Sequence, residues 1–303
     1  IVILPGGPFD PFGLDVMKCT KKLRIKSVMC VLNWDFFSNK GLLRAKPDIV
    51  CVLGQQMYEM VVGTHRTSRE KVKIIGVPQY EIYRKKISMS DARKHLGLPE
   101  DKKLWLFAGI GEPYDEMSIL TEIDRLIGTE LPSDIRVLYR PYPKKHTARK
   151  NERDFKEYKF KNIVLDPENA NIAKKAGGTP IDYYANLFYS VDAVISPFST
   201  MTLEAVFCGK PCLAIGFSDD LHEWKLEYAL VQDHVQPLLG WKSLLLCVDK
   251  SSFRNSLRAL VKISDSPPIE NRIKEEPGYI IHTDNSSYSK RLFDVISEVR
   301  SKP

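Results

Sequence analysis

Residues 191–217, VDAVISPFSTMTLEAVFCGKPCLAIGF, constrain the fold more than any other stretch. Residues 193–196 form a short apolar strand, Pro197 and Phe198 turn the chain, and Ser199 or Thr200 can cap a helix whose first two turns are residues 201–208. Gly209 stops that helix, and Lys210 and Pro211 lead into a second apolar strand over residues 212–217. Strand, polar turn, helix and strand at this length make a parallel crossover. Its helix start aims free N–H groups and a partial positive charge at the crevice beyond the strand's carboxyl end, where an anion such as a diphosphate binds. Glu204, about one turn into the helix, is placed to accept hydrogen bonds from ribose hydroxyls.

The chain before this unit alternates in the same way. Residues 1–4 are a strand candidate, followed by PGGPFDPFG, a loop too rich in Gly and Pro for either regular element. Gly6 and Gly7 either let backbone approach a ligand there or make a plain surface turn. Strands follow at 28–32, 48–53 and 72–75, with a helix from the Lys40 region onward and another over 55–62, the interval of βαβ units. Strand carboxyl ends carry the site in such sheets, which singles out Asp35, just past VMCVLNW, and His65, after the next helix. A charged stretch over residues 81–101, with a short helix around 90–96 that Gly97 closes, marks a domain boundary.

A second series opens with the strand 104–108 and a glycine turn, Gly109 and Gly111, before a helix over 117–127. The strand 135–139 runs into Arg140, whose planar fork suits phosphate oxygens, or which is an exposed cation beside Lys144 and Lys145. Residues 144–161 read as a solvated face or loop, or as a patch for lipid headgroups. A strand at 163–165 leads to Asp166 and Asn169, then come a glycine-containing loop at 174–179 and a helix over 181–189. After the central unit, His222 and Glu223 lie just beyond a strand's carboxyl end, where they either reach a ligand in the crevice or belong to a plain polar loop. A strand at 244–248, a helix over 251–263, a polar break over 264–277 and an amphipathic helix over 288–299 complete the order.

A chain of 303 residues with 43% apolar side chains can build two cores. Its net charge of +7 favours anionic substrates and an anionic membrane surface. It carries no basic stripe interleaved with aromatics and no nucleic-acid module, so no nucleic-acid partner is expected. The cysteines mostly sit in or beside apolar runs, as small buried hydrophobes of a reducing compartment do, and none has zinc-site spacing. No apolar run approaches the roughly 20 residues of a membrane span and no signal peptide is visible, so a cytoplasmic protein, peripheral at the inner face of the membrane, is expected. The chain opens on IVIL, which leads us to expect a missing N-terminus or a short first domain.

The run from Asp192 through Ser196, Ser199, Thr200, Glu204-Ala205 and Gly209-Lys210-Pro211 resembles the donor half of GT-B glycosyltransferases. It is also similar to that of UDP-N-acetylglucosamine 2-epimerases and shares turns with CDP-glycerol glycerophosphotransferases. NWDFFSNKG, PDIVCVLG and HRTSREKVKIIGVPQY are similar to the first-domain end of proteins that build bacterial surface carbohydrates. YRPYP resembles their Arg-x-His-Pro turn, with Tyr142 in place of the histidine, so a mechanism dependent on that histidine does not carry over. The resemblance implies an α/β chain of two Rossmann-like domains facing a cleft: an acceptor side over residues 1–88, a donor domain over 89–280, and a C-terminal helix over 281–303 crossing back to the first. It implies that Ser196, Ser199 and Thr200 hold donor phosphates, that Glu204 holds the ribose, that the Gly111 turn approaches the phosphates, and that Asp166 begins the turn clasping the nucleobase. The alternative is an ordinary N-capped helix in some other α/β protein.

The implied activity is transfer of a sugar from a nucleoside diphosphate sugar to a hydroxyl of a carbohydrate or lipid-linked saccharide. Asp35 is the first candidate for the base and His65 the second. No cofactor beyond the donor substrate and no metal are expected, because the helix N-terminus and Arg140 can stabilise the departing diphosphate. A UDP-sugar 2-epimerase, a CDP-alditol phosphotransferase and a non-catalytic nucleotide-binding module stay open beside it.

Overall fold

A computed structural model of the chain describes residues 1–6, 11–84, 87–111, 114–143, 150, 153–169, 181–218, 226–265 and 275–301. The chain divides into two compact units, one of Ile1–Arg84, Gln232–Gln236 and Glu275–Pro303, the other of Lys85–Val231 and Pro237–Lys274.

In the first unit, β1 (Val2–Pro5), β2 (Ser27–Cys30), β3 (Ile49–Val52) and β4 (Val72–Ile74) form a parallel sheet in sequential order, with α1 (Pro11–Lys22), α2 (Phe36–Asn39) and α3 (Gln55–Gly63) between them. β2 and β3 are buried along their whole length, as central parallel strands covered on both faces are, while edge strand β1 alternates. Asp48 pins the β2–β3 register by accepting from the Ser27 N–H at 2.8 Å and its hydroxyl at 3.1 Å. Right-handed crossovers between strands in sequential order put the connecting helices on one face of a sheet. Two corrections fall here. Helix α1 begins inside the expected loop, at Pro11, because proline at a first helical position forfeits no hydrogen bond and brings its φ preset. Helix α2 ends at Asn39, before the expected helix start, and residues 41–48 have no regular structure.

In the second unit the elements run α4 (Met89–Leu96), β5 (Lys103–Ala108), α5 (Glu116–Leu126), β6 (Ile135–Arg140), β7 (Ile163–Leu165), α6 (Ile181–Ser190), β8 (Ala193–Pro197), α7 (Thr200–Phe207), β9 (Cys212–Ile215), α8 (Glu227–Leu230), β10 (Leu244–Cys247) and α9 (Phe253–Ser264). All six strands are parallel, in the order β10-β9-β8-β5-β6-β7. The chain starts in the middle at β5, winds outward through β6 and β7, then returns to β8 and winds the other way. That is the doubly wound Rossmann order, and its topological switch point lies between β5 and β8. Arg93 of α4, 4% exposed, ties the amino ends together through the carbonyls of Ser190, Glu100 and Lys102 and the carboxylate of Asp192 at 2.8 Å. Asp192 also accepts from the Leu104 N–H at 2.7 Å, so the aspartate that opens the central motif is a strut between β5 and β8.

The chain returns to the first unit with α10 (Glu275–Ile280) and α11 (Tyr288–Ser301). Helix α10 starts inside the expected polar break, with Pro277 in its first turn. Val295 and Val299 of α11 pack on Val28, Cys30, Ile49 and Cys51 of the sheet. The N–H of His282 donates to the Leu53 carbonyl at 2.7 Å, and Arg291 donates to the Ile75 carbonyl at 2.8 Å and pairs with Glu81 and Asp284. This approach requires Gly54 and Gly76, since carbonyls of Ile280 and His282 fill the space a Cβ would take and Gly76 has φ +74°.

Candidate active site

The second unit's expected ligand residues gather around the carboxyl ends of β5, β6, β7 and β8. Ser196, the fourth residue of β8, is fully buried, and its hydroxyl lies 2.9 Å from the Ala108 carbonyl that ends β5 and 3.1 Å from the Ser199 hydroxyl. It rivets the two strands at the switch point and orients Ser199. Ser199 occupies the N-cap of α7 in extended backbone, yet its side chain makes no capping bond, and Thr200 beside it is exposed. A helix start left without a side-chain cap keeps N–H groups for a ligand.

Arg140 ends β6 and is 2% exposed. One Nη donates to the Tyr184 hydroxyl at 2.7 Å and the guanidinium lies over that ring at 5.4 Å, while its buried Nε has no partner among the described residues. Burial opposes the charge of Arg140, but Tyr184, Tyr183 and Glu204 hold its pKa above the ordinary arginine value. Glu204 of α7 is half-buried and acts electrostatically on Arg140, so the expected ribose and phosphate residues share one neighbourhood. Asp166, past the end of β7, is buried. Its carboxylate accepts from the Glu168 N–H at 3.1 Å and from the Tyr183 hydroxyl, and burial raises its pKa. The side chain therefore shapes the turn over residues 166–169.

In the glycine turn after β5, Gly111 has φ +78° and its N–H donates to the Glu116 carboxylate at 2.7 Å, so that N–H is committed within the protein. Glu116, at the start of α5, is buried, also accepts from the Tyr139 hydroxyl at 2.5 Å, and fills the space a side chain at Gly109 would need. Burial raises its pKa, while Tyr139 and the N–H groups of Gly111 and Ile110 work the other way. Glu116 escaped the sequence reading because an acid in a helix's first turn is the ordinary complement of the helix dipole. Tyr183 and Tyr184 carried no local signal beyond an amphipathic helix. His222 and Glu223 lie outside the described residues.

In the first unit Asp35 occupies the N-cap position of α2, but its carboxylate makes no cap bond and pairs with Lys40 at 2.9 Å. His65 is 6% exposed with both nitrogens engaged: Nδ1 accepts from the Leu43 N–H at 3.1 Å and Nε2 donates to the Phe37 carbonyl at 2.9 Å. This bonding fixes a neutral tautomer with no lone pair to spare, so His65 tethers the loop and offers no base in this geometry. The residue the structure adds is His234. Its ring stands edge-on to Trp34 at 4.6 Å, its Nδ1 lies 2.6 Å from the Ser38 hydroxyl, and its carbonyl accepts from Gln56 at 2.8 Å. It lies 199 positions after Asp35 in number (234 − 35), and no local pattern marks it. Among the described residues no group of His, Cys, Asp and Glu side chains could hold a metal ion, and no helix is long and apolar enough to cross a membrane.

Neither a protein-family model nor a curated protein matches the chain. Solved structures do. The wall teichoic acid polymerase TagF matches at 16% identity and TM-score 0.54 over 84% of this chain, which spans 58% of that structure's length. Anabaena HepE, in complex with UDP and glucose, matches at 14% identity and TM-score 0.51, covering 95% of this chain and 75% of that one. A protein of Listeria monocytogenes assigned as a UDP-N-acetylglucosamine 2-epimerase matches at 12% identity and TM-score 0.58, over all of this chain and 75% of its own. At these identities the likeness establishes the fold, two Rossmann-like α/β units of the GT-B kind.

Proposed function

We propose that the chain is a glycosyltransferase that moves a sugar from a nucleoside diphosphate sugar to a hydroxyl acceptor of a surface polysaccharide or glycolipid. The observation that carries this reading is the buried Arg140, whose Nε has no partner among the described residues and which stands near Glu204 at the carboxyl end of a doubly wound sheet. A buried guanidinium left one hydrogen bond short is an anion receptor, and a departing diphosphate supplies that anion. The N–H groups at the start of α7, with Ser199 and Thr200, take the phosphates, Glu204 takes the ribose hydroxyls, and the turn begun by Asp166 faces the nucleobase. These groups supply the charge that a divalent metal would otherwise bring, so the reaction proceeds without one. The first unit holds the acceptor and carries the acid–base centre built around Asp35. HepE, with UDP and glucose bound, supports a sugar donor.

A second reading, transfer of an alditol phosphate from a CDP-alditol, is favoured by the likeness to TagF, a wall teichoic acid polymerase. A thermal-shift panel of UDP, CDP, GDP and TDP separates the two. Stabilisation by UDP, GDP or TDP above CDP supports the sugar donor, CDP alone supports the alditol donor, and no shift with any of the four rejects both.

A further inference from the structure

We infer that the proton acceptor of the acid–base centre is Nε2 of His234, which the Ser38 hydroxyl ties to the Asp35 backbone carbonyl. The inference rests on the glycosyl-transfer reading and names the group that takes the acceptor's proton.

The geometry sets the tautomer. The Ser38 hydroxyl lies 3.1 Å from the Asp35 carbonyl, to which it can only donate. Having one hydrogen to give, it then accepts the 2.6 Å bond from His234, so the ring proton sits on Nδ1. Nε2 is left with its lone pair and has no hydrogen-bond partner among the described residues. Trp34 against the ring and Gln56 on the backbone carbonyl hold the histidine still.

Asp35 is the poorer base of the two. Its carboxylate is committed to Lys40 at 2.9 Å, whereas the His234 ring keeps a lone pair on Nε2, which is what a general base needs. The charged groups bearing on the ring are Asp35 and Lys40 from the stretch after β2 and Asp233 beside it. Burial lowers the pKa of His234, Lys40 lowers it further, and the two aspartates raise it. The step balances: the acceptor's O–H bond breaks and its proton goes to Nε2. The oxygen's electron pair forms the bond to the anomeric carbon, and the bond from that carbon to the diphosphate breaks with its electrons on the leaving nucleotide. The negative charges of Asp35 and Asp233 favour the imidazolium so formed.

The test measures nucleotide release from UDP-glucose and CDP-glycerol between pH 5 and 9, with melting temperature as the control for folding. His234→Gln is expected to lower the rate by roughly 10² to 10⁴-fold and to remove the acid limb of the profile. Asp35→Asn is expected to keep measurable turnover and move the acid limb to lower pH, and Lys40→Met to move it to higher pH. Ser38→Ala, which leaves the ring in place, is the second variant and should slow release if His234→Gln fails to fold. Wild-type rate and acid limb in a folded His234→Gln protein, or loss of the limb in Asp35→Asn alone, overturns the role of His234 and leaves the transferase reading standing. Absence of release from either donor by the wild-type protein overturns both.

Discussion

At the scale of single residues the account turns on Arg140 and Glu204. Arg140→Lys keeps the charge but loses the planar fork, because a lysine's donors all sit on one nitrogen and cannot replace both Nε and Nη. Nucleotide affinity is therefore expected to fall in Arg140→Lys, and a calorimetric titration at wild-type affinity would assign Arg140 to the fold alone. If Glu204 holds the ribose as proposed, Glu204→Ala is expected to lose charge-assisted hydrogen bonds worth roughly 1.5 to 3 kcal/mol each, with the fold expected to survive at this half-buried position. Comparing ribo- and 2′-deoxynucleotides on the same variant checks this, since the loss should shrink when the 2′-hydroxyl is absent. His234 gives a pH dependence of stability. Its folded pKa lies below the unfolded value of about 6.5, so its neutral form favours the native state. That contribution is fully present above the unfolded pKa and is lost as pH falls below it through the folded pKa. A melting series from pH 8 to pH 5 should show a steeper decline in the wild type than in His234→Gln.

At the scale of elements, the strands and most helices were legible because parallel strands buried on both faces are short continuous apolar runs, as in IVCV and AVISP. Gly97 and Gly209 marked their helix ends, and both adopt positive φ. The elements that the sequence hid share a physical reason. Helix α1 and helix α10 each carry a proline in their first turn, where it is harmless, and a reading that treats proline as a breaker puts them in loops. Within the charged stretch, residues 153–157 are helical, with Lys156 and Glu157 exposed as on a solvated face, and Phe155 stacks on Tyr139 at 5.6 Å. The placement of the candidate residues was legible where they sit at or beside strand carboxyl ends, at Arg140, Asp166 and Ser196, with Glu204 about one turn into the helix that follows. It was illegible where burial or long-range contact decides, at Glu116 and His234. One element-scale prediction follows from Arg93, which joins α4 to the starts of β5 and β8. Arg93→Ala leaves Asp192 with only the Leu104 N–H and takes a donor from three carbonyls, and urea denaturation should show a loss of roughly 3 to 5 kcal/mol.

At the scale of the whole molecule, the strand order of the second unit carries more weight than any motif. A sheet that begins in its middle and winds both ways has one crevice at the carboxyl ends, and the residues expected to grip a nucleotide lie at those ends. If helix N-terminus and guanidinium supply the positive charge, EDTA should leave turnover largely unchanged. Loss of activity restored by magnesium or manganese would replace that view with a metal-assisted one. The central claim is that the second unit is a nucleoside diphosphate receptor, and calorimetry with UDP and CDP on the wild-type protein and on Arg140→Lys measures it most directly. The account predicts a single site that binds a diphosphate more tightly than the matching monophosphate and is weakened in Arg140→Lys. No binding of either nucleotide, or equal affinity for mono- and diphosphate unaltered by the substitution, would contradict it.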